Sequence, residues 1–179
     1  TNGETKTVGY NADRYLCRVQ RAPMGEWVVA YGRSVETDAA RVFIYDNERL
    51  CATVPVDSPT QVAVANTGRT AIADGLDPDD HTSKLLTLDP DGAVSFTNYF
   101  NANVADCIIS PDGTTVAVTT HAPDHTLYAF NIDNSRRQLR QELQHATARQ
   151  IEWVDVGEDT DGRWRIRVSK KDTKRPAYT

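Results

Sequence analysis

The sequence has no run of about 18 apolar residues, so it offers no membrane-spanning helix. It has no Gly-x-Ser-x-Gly elbow, no His-Glu-x-x-His pair and no glycine-rich phosphate loop. The usual signatures of serine hydrolases, zinc proteases and nucleotide-binding enzymes are therefore missing, and no catalytic residue can be named. Cysteine is scarce and odd in number: Cys17, Cys51 and Cys107, without metal-ligand spacing. Each lies in an apolar strand pattern, which reads as a buried free thiol and favours a reducing compartment. No signal peptide is visible, so the expectation is a cytoplasmic protein. The chain starts at a threonine, which leaves a removed leader open. No aromatic stripe interleaves the basic residues, which argues against nucleic acid as partner.

What is present is an ordinary globular composition. The 179 residues are 39% apolar and 25% charged, the size of one domain with a real core. The net charge of −5 selects no particular partner. Aspartate outnumbers glutamate and arginine outnumbers lysine, a bias that suits a GC-rich genome and also a salt-loving organism. Charge is uneven along the chain. Residues 1–133 hold 9 basic and 18 acidic groups, net −9, whereas residues 134–179 hold 11 and 7, net +4.

The most informative stretch is IISPDGTTVAVTTHAPDHTLYAFNIDN, from Ile108 to Asn134. Two apolar runs flank a Pro-Asp-Gly turn, and a third run ends in aspartate. Gly113 closes the turn, and Gly68 and Gly25 recur 45 and then 43 residues earlier. Two further markers move in step with them. One is an apolar residue before aspartate: Tyr45-Asp46, Leu88-Asp89 and Ile132-Asp133. The other is an aspartate ahead of the third run: Asp38, Asp80 and Asp124. A period in the forties with short β-branched runs and regular turns indicates an all-β propeller-like array. These residues resemble the β-propeller repeats related to the WD-repeat family, in the subtype carrying Ser-Pro-Asp-Gly. The resemblance covers roughly residues 15–133 and is sharp only in the third copy. The Gly-His and Trp-Asp pairs of the strict WD repeat are missing from all three.

The expected architecture is a small or partial β-propeller forming one domain over residues 1–179. Three four-stranded blades span roughly 15–56, 60–100 and 104–144, and an incomplete fourth spans 149–169. Residues 138–144 contain good helix formers, yet the repeat register favours a strand. Lys6–Tyr10 precedes the first inner strand, where an outermost strand belongs. It is expected to complete the fourth blade, which would then comprise 149–169 with 5–10, and so to close the ring.

Alternate turns of such blades lie on opposite faces. The Pro-Asp-Gly turns share one face with the turn at Asp89–Gly92. The opposite face collects Asp38, Asp77, Asp79, Asp80, His81, His121, Asp124 and His125. Loops on a rigid frame are where binding usually sits, so these are the candidate binding residues. His121 and His125 have a spacing that suits zinc on a helix, but Pro123 and the strand context oppose a helix. Asp159-x-Asp161-Gly162 lacks the other ligands of a calcium loop. No metal and no cofactor are expected. In the fourth copy Arg163, Arg165 and Arg167 alternate with Trp164, Ile166 and Val168, which puts the arginines on one strand face. Inside a complete propeller they would need paired carboxylates, so this strand is a candidate interaction surface. The preferred reading is a non-catalytic module that binds a protein partner or a second copy of itself. The alternative is a hydrolase or lactonase-type enzyme with a divalent cation in a central channel.

Overall fold

The computed structural model describes the backbone of residues 4–77, 82–133, 138–142, 151–158 and 164–170, and the side chains of 5–75 and 82–133. All regular structure in these residues is β-strand. No helix among them is long and apolar enough to cross a membrane. The first sheet has five strands: β1 (Glu4–Tyr10), β2 (Asp13–Arg21), β3 (Trp27–Ser34), β4 (Ala40–Asp46) and β5 (Arg49–Val56). The second is β6 (Pro59–Val64), β7 (Thr70–Asp77), β8 (Thr82–Leu88) and β9 (Val94–Phe100). The third is β10 (Val104–Ile109), β11 (Thr115–Thr120), β12 (Thr126–Asn131) and β13 (Gln138–Glu142). A pair, β14 (Ile151–Glu158) and β15 (Trp164–Lys170), makes the fourth. In every sheet the strands follow chain order and pair antiparallel, giving a meander per blade. This is the partial propeller that the repeat implied, and residues 138–142 form a strand.

Strand type follows from side-chain pattern. β2 alternates, with Tyr15, Cys17 and Val19 buried and Arg14, Leu16 and Arg18 exposed. β11 is buried at all its positions. A central strand in the middle blade of a stack is covered on both faces, so an uninterrupted run of Val, Ala and Thr suits it. The core lies between the sheets. Val29, Tyr31, Val42 and Ile44 of the first blade meet Val62, Val64, Ile72 and Leu88 of the second. Ala71, Ala73, Leu85 and Phe100 of the second meet Cys107, Val116, Val118 and Phe130 of the third.

The recurring glycine has a concrete role at this junction. Gly68 adopts φ +83°, and a Cβ there would lie 2.6 Å from the Trp27 ring of the first blade. Gly113 adopts φ +76°, and its Cβ would lie 2.6 Å from Thr67 Oγ1 of the second blade. Both positions demand the left-handed backbone and close contact with the preceding blade.

The N-terminal strand lies elsewhere than the sequence suggested. β1 pairs with β2 along Glu4↔Val19 to Tyr10↔Asp13 and is the fifth strand of the first blade. It does not join β14 and β15. A two-residue turn at Asn11 and Ala12, with φ of 48° and 69°, closes this hairpin. Local closure costs far less chain entropy than pairing with a strand some 150 residues away.

Candidate functional site

The loops between second and third strands lie on one face, as the meander requires. In the first blade that loop is 35–39. Glu36 accepts the Arg14 backbone N–H at 2.8 Å and the Arg14 Nε at 2.9 Å. Those bonds, the backbone one first, hold its carboxyl below the usual glutamate range. The Glu36 and Thr37 N–H groups donate to Ser34 Oγ. Asp38 has φ 59°, and its carboxylate and carbonyl accept from Arg33 Nη1 at 3.2 and 3.1 Å. The other Arg33 nitrogen donates to the Asp57 carbonyl, which ties this loop to the link between blades.

The second-blade loop holds Asp79, Asp80 and His81, which lie outside the described residues. Beside it is an ion-pair cluster that the sequence did not reveal. Asp74 is fully buried. It accepts the Asp57 and Ser58 backbone N–H groups at 3.0 and 2.5 Å. Lys84 Nζ lies 3.2 Å from Asp74 and 2.5 Å from Asp57. Desolvation pulls the Lys84 pKa down, but the hydrogen bonds and charges of the two aspartates outweigh it and raise it.

In the third-blade loop His121 is exposed, while Asp124 and His125 are half-buried. Asp124 accepts three hydroxyls: Thr120 at 3.0 Å, Thr126 at 3.0 Å and Tyr128 at 2.7 Å. His125 has φ 44° and donates its N–H to the His121 carbonyl. His121 N–H in turn donates to Asn103. The recurring aspartate therefore shapes its loop in both described copies. Among the described residues, no three His, Cys, Asp or Glu side chains gather where one cation could reach them.

The opposite face holds the glycine turns, laced together across blades. Asn66 Oδ1 accepts the Met24 N–H at 2.9 Å, and the Asn66 N–H donates to the Pro111 carbonyl at 2.9 Å. Arg69 reaches Asp89 Oδ1 at 3.0 Å, Asp133 Oδ1 at 2.7 Å and the Gly113 carbonyl at 3.0 Å. Two of the three apolar-Asp markers are thus the anions that clamp one arginine between blades. In the third turn Ser110 Oγ donates to Asp112 Oδ1 and accepts the Thr115 N–H at 3.0 Å. Burial pushes the Asp112 pKa up, but bonds from Ser110 and Thr114 outweigh it and hold the carboxyl below its ordinary value.

Among the described residues the exposed large apolar ones are Leu16 and Val35 on the side of the 35–39 loop, Met24 and Leu50 on the turn face, and Val94 and Tyr99 on β9. Their exposure is visible only in the fold, since each sits in an ordinary strand or loop pattern. Cys17 and Cys107 are buried free thiols, whereas Cys51 is partly exposed. Arg163 and Asp159–Gly162 lie outside the described residues. By register, Arg165 opposes Gly157, Arg167 opposes Asp155 and Trp164 opposes Glu158.

Solved structures with this arrangement are β-propellers. Sqt1 of Saccharomyces cerevisiae matches with a TM-score of 0.55 at 10% identity, over 87% of this chain and 43% of that one. Hsv2 of Kluyveromyces marxianus matches at 0.52 and 14% identity, over 93% of this chain and 69% of that one. The Dos1 propeller matches at 0.50 and 9% identity, over 92% and 53%. At such identities the likeness shows the fold alone, a β-propeller. The chain spans less than half the length of the Sqt1 chain. No family model matches it, and no curated protein sequence does.

Proposed function

We propose that this propeller is a non-catalytic interaction module whose loop face binds a protein partner or a second copy of the chain. One observation carries the reading. The carboxylates of Glu36, Asp38, Asp57, Asp74 and Asp124 on that face are engaged in holding their own loops and links, and Val35 is left 64% exposed, with Leu16 at 59% nearby. Rigid loops carrying exposed apolar side chains suit a protein surface better than a reaction centre. In this reading His121 borders the same face, and Asp79, Asp80 and His81 are assigned to it only by their place in the sequence repeat. The strand with Arg165 and Arg167 is a second candidate contact. In this reading the module works in a reducing compartment such as the cytoplasm, which the free thiols Cys17, Cys51 and Cys107 support. The turn chemistry of Ser110, Asp112 and Gly113 supports assignment to the Ser-Pro-Asp-Gly subtype.

The test compares wild type with Leu16→Glu and Val35→Glu as affinity baits in extract of the source cell. A protein retained by wild type and lost with both variants is then purified and its binding reconstituted with the two components alone. If reconstitution shows equal affinity for wild type and variants, the loop-face reading is wrong.

A further inference from the structure

We infer that the outer edge of β9 is a self-association site, at which a second copy of this chain adds its own β9 antiparallel across a two-fold axis. The proposal rests on the interaction-module reading and gives it a surface and an occupant. β9 ends the second sheet, so its outer edge has no strand partner among the described residues. Its sequence, VSFTNYF, contains neither a charge nor a proline. Every other described edge strand contains one or the other. β1 has Glu4 and Lys6, β5 has Arg49 and Pro55, β6 has Pro59 and β10 has Asp106. β13 has Arg140 and Glu142, β14 has Glu152, Asp155 and Glu158, and β15 has Arg165 and Arg167. Charges and prolines are the devices that stop edge pairing, and β9 alone lacks both. Among the described residues, two of the six exposed large apolar side chains, Val94 at 57% and Tyr99 at 68%, lie on this strand.

The occupant follows from complementarity. Outward-pointing N–H and C=O groups of an edge strand are satisfied together by another extended strand. The partner edge must itself be free of blocking residues, and among the described edge strands only β9 meets that condition. Antiparallel pairing about a two-fold axis keeps each side chain on its own face only if opposed residues have matching parity. Pairing about Thr97 then places Thr97 opposite its counterpart and Phe96 opposite Asn98, and the bulge beside Ser95, which puts Val94 on the face of Thr97 and Tyr99, ends the matched stretch short of Val94. Neither copy brings a charge to the seam. The first blade shows that this protein accommodates a five-stranded blade. One strand edge is smaller than the roughly 1,200 Å² of a stable interface, so association should be weak.

The experiment is sedimentation of the full chain from about 1 μM to about 1 mM. It is run beside Thr97→Lys and the double variant Arg165→Ala with Arg167→Ala. Thr97 is exposed, so the lysine leaves the fold intact, which circular dichroism and melting check. Wild type should dimerise with rising concentration, and residues 94–100 should gain amide-exchange protection in parallel. Thr97→Lys sets two like charges face to face and should weaken dimerisation at least about tenfold, while the arginine variant should match wild type. A protein monomeric throughout overturns the proposal and leaves binding to another protein through the loop face intact. A dimer that survives Thr97→Lys but is lost with the arginine variant overturns it too, and assigns self-association to β15.

Discussion

Replacing Gly68 by alanine tests whether the recurring glycine is a packing device between blades or only a turn residue. Gly68 and Gly25 share φ +83°, so alanine meets the same backbone strain at both, about 1–2 kcal/mol. Their surroundings differ. Around Gly25 a Cβ finds nothing within 4 Å, whereas at Gly68 it would fall within 2.6–2.7 Å of three atoms of the Trp27 ring. Trp27 is partly buried and packs on the cluster between the first two blades. Pushing such a ring aside costs about 1–3 kcal/mol, as overpacking generally does. Gly68→Ala should therefore lose about 2–5 kcal/mol and Gly25→Ala about 1–2. Urea unfolding of both, at matched slopes, measures the difference. In a Trp27→Leu background the two losses should converge, because the smaller side chain no longer meets the new methyl. Equal losses in the wild-type background, within about 0.5 kcal/mol, would refute the packing argument.

Other perturbations probe the rest of the frame. Arg69→Met keeps the stem but removes the bonds to Asp89, Asp133 and Gly113, and should destabilise by about 1–2 kcal/mol because both carboxylates remain partly exposed. A double-mutant cycle with Asp133→Asn should show positive coupling, and no coupling would mean the clamp contributes nothing. The Asp112 carboxyl sits below its ordinary value of 3.8 when folded, so its contribution is present above that value and lost as pH falls through the folded pKa. Asp112→Asn should thus be less stable than wild type at neutral pH, with the gap closing in acid, and a gap that widens in acid would contradict the sign. Burial pushes the Cys17 thiol up to about 11 and the Cys107 thiol further. With a thiol reagent at neutral pH, only Cys51 should react before unfolding; three fast thiols would contradict the burial.

The strands were legible because their cause is local. Each is a short β-branched or alternating run ended by turn residues, and the repeat supplied the blade grouping even for Gln138–Glu142. The purpose of the repeat markers was not legible. Asp89 and Asp133 lie 20 and 64 residues from the arginine they hold, and nothing local marks Arg69. Asp74 and Lys84 sit in apolar strand patterns and look unremarkable until the fold puts Asp57 beside them. Nothing in the sequence showed that Asp124 turns inward to bind Thr120, Thr126 and Tyr128, or that Asp38, though largely exposed, pairs with Arg33. The placement of β1 failed for a specific reason. An Asn-Gly pair would have announced a two-residue hairpin, but Asn11-Ala12 does not, since alanine rarely adopts positive φ.

That hairpin bears on how the first blade differs from the others. Turn registers align Val19 with Val62 and Cys107, and Ala30 with Ile72 and Val118. The cross-strand partners of the latter three are Phe43, Leu86 and Tyr128. In the second and third blades these positions face the preceding blade. In the first they form a separate cluster with Tyr15 and Cys17, covered by Val8 and Tyr10. Tyr10 and Tyr15 stand edge-on to Phe43 with centroids at 5.8 and 5.2 Å. Arg41 lies over the Tyr10 ring at 5.1 Å, and its Nε donates to Tyr15 Oη at 3.0 Å. An aromatic patch closed by one arginine thus stands where another blade packs in the later repeats. The open space around Gly25 has the same origin, because its counterparts Gly68 and Gly113 are crowded by the turn of the blade before. β1 is therefore best understood as part of the cover of this face: its side chains meet a surface whose counterparts in the repeat are built to be buried.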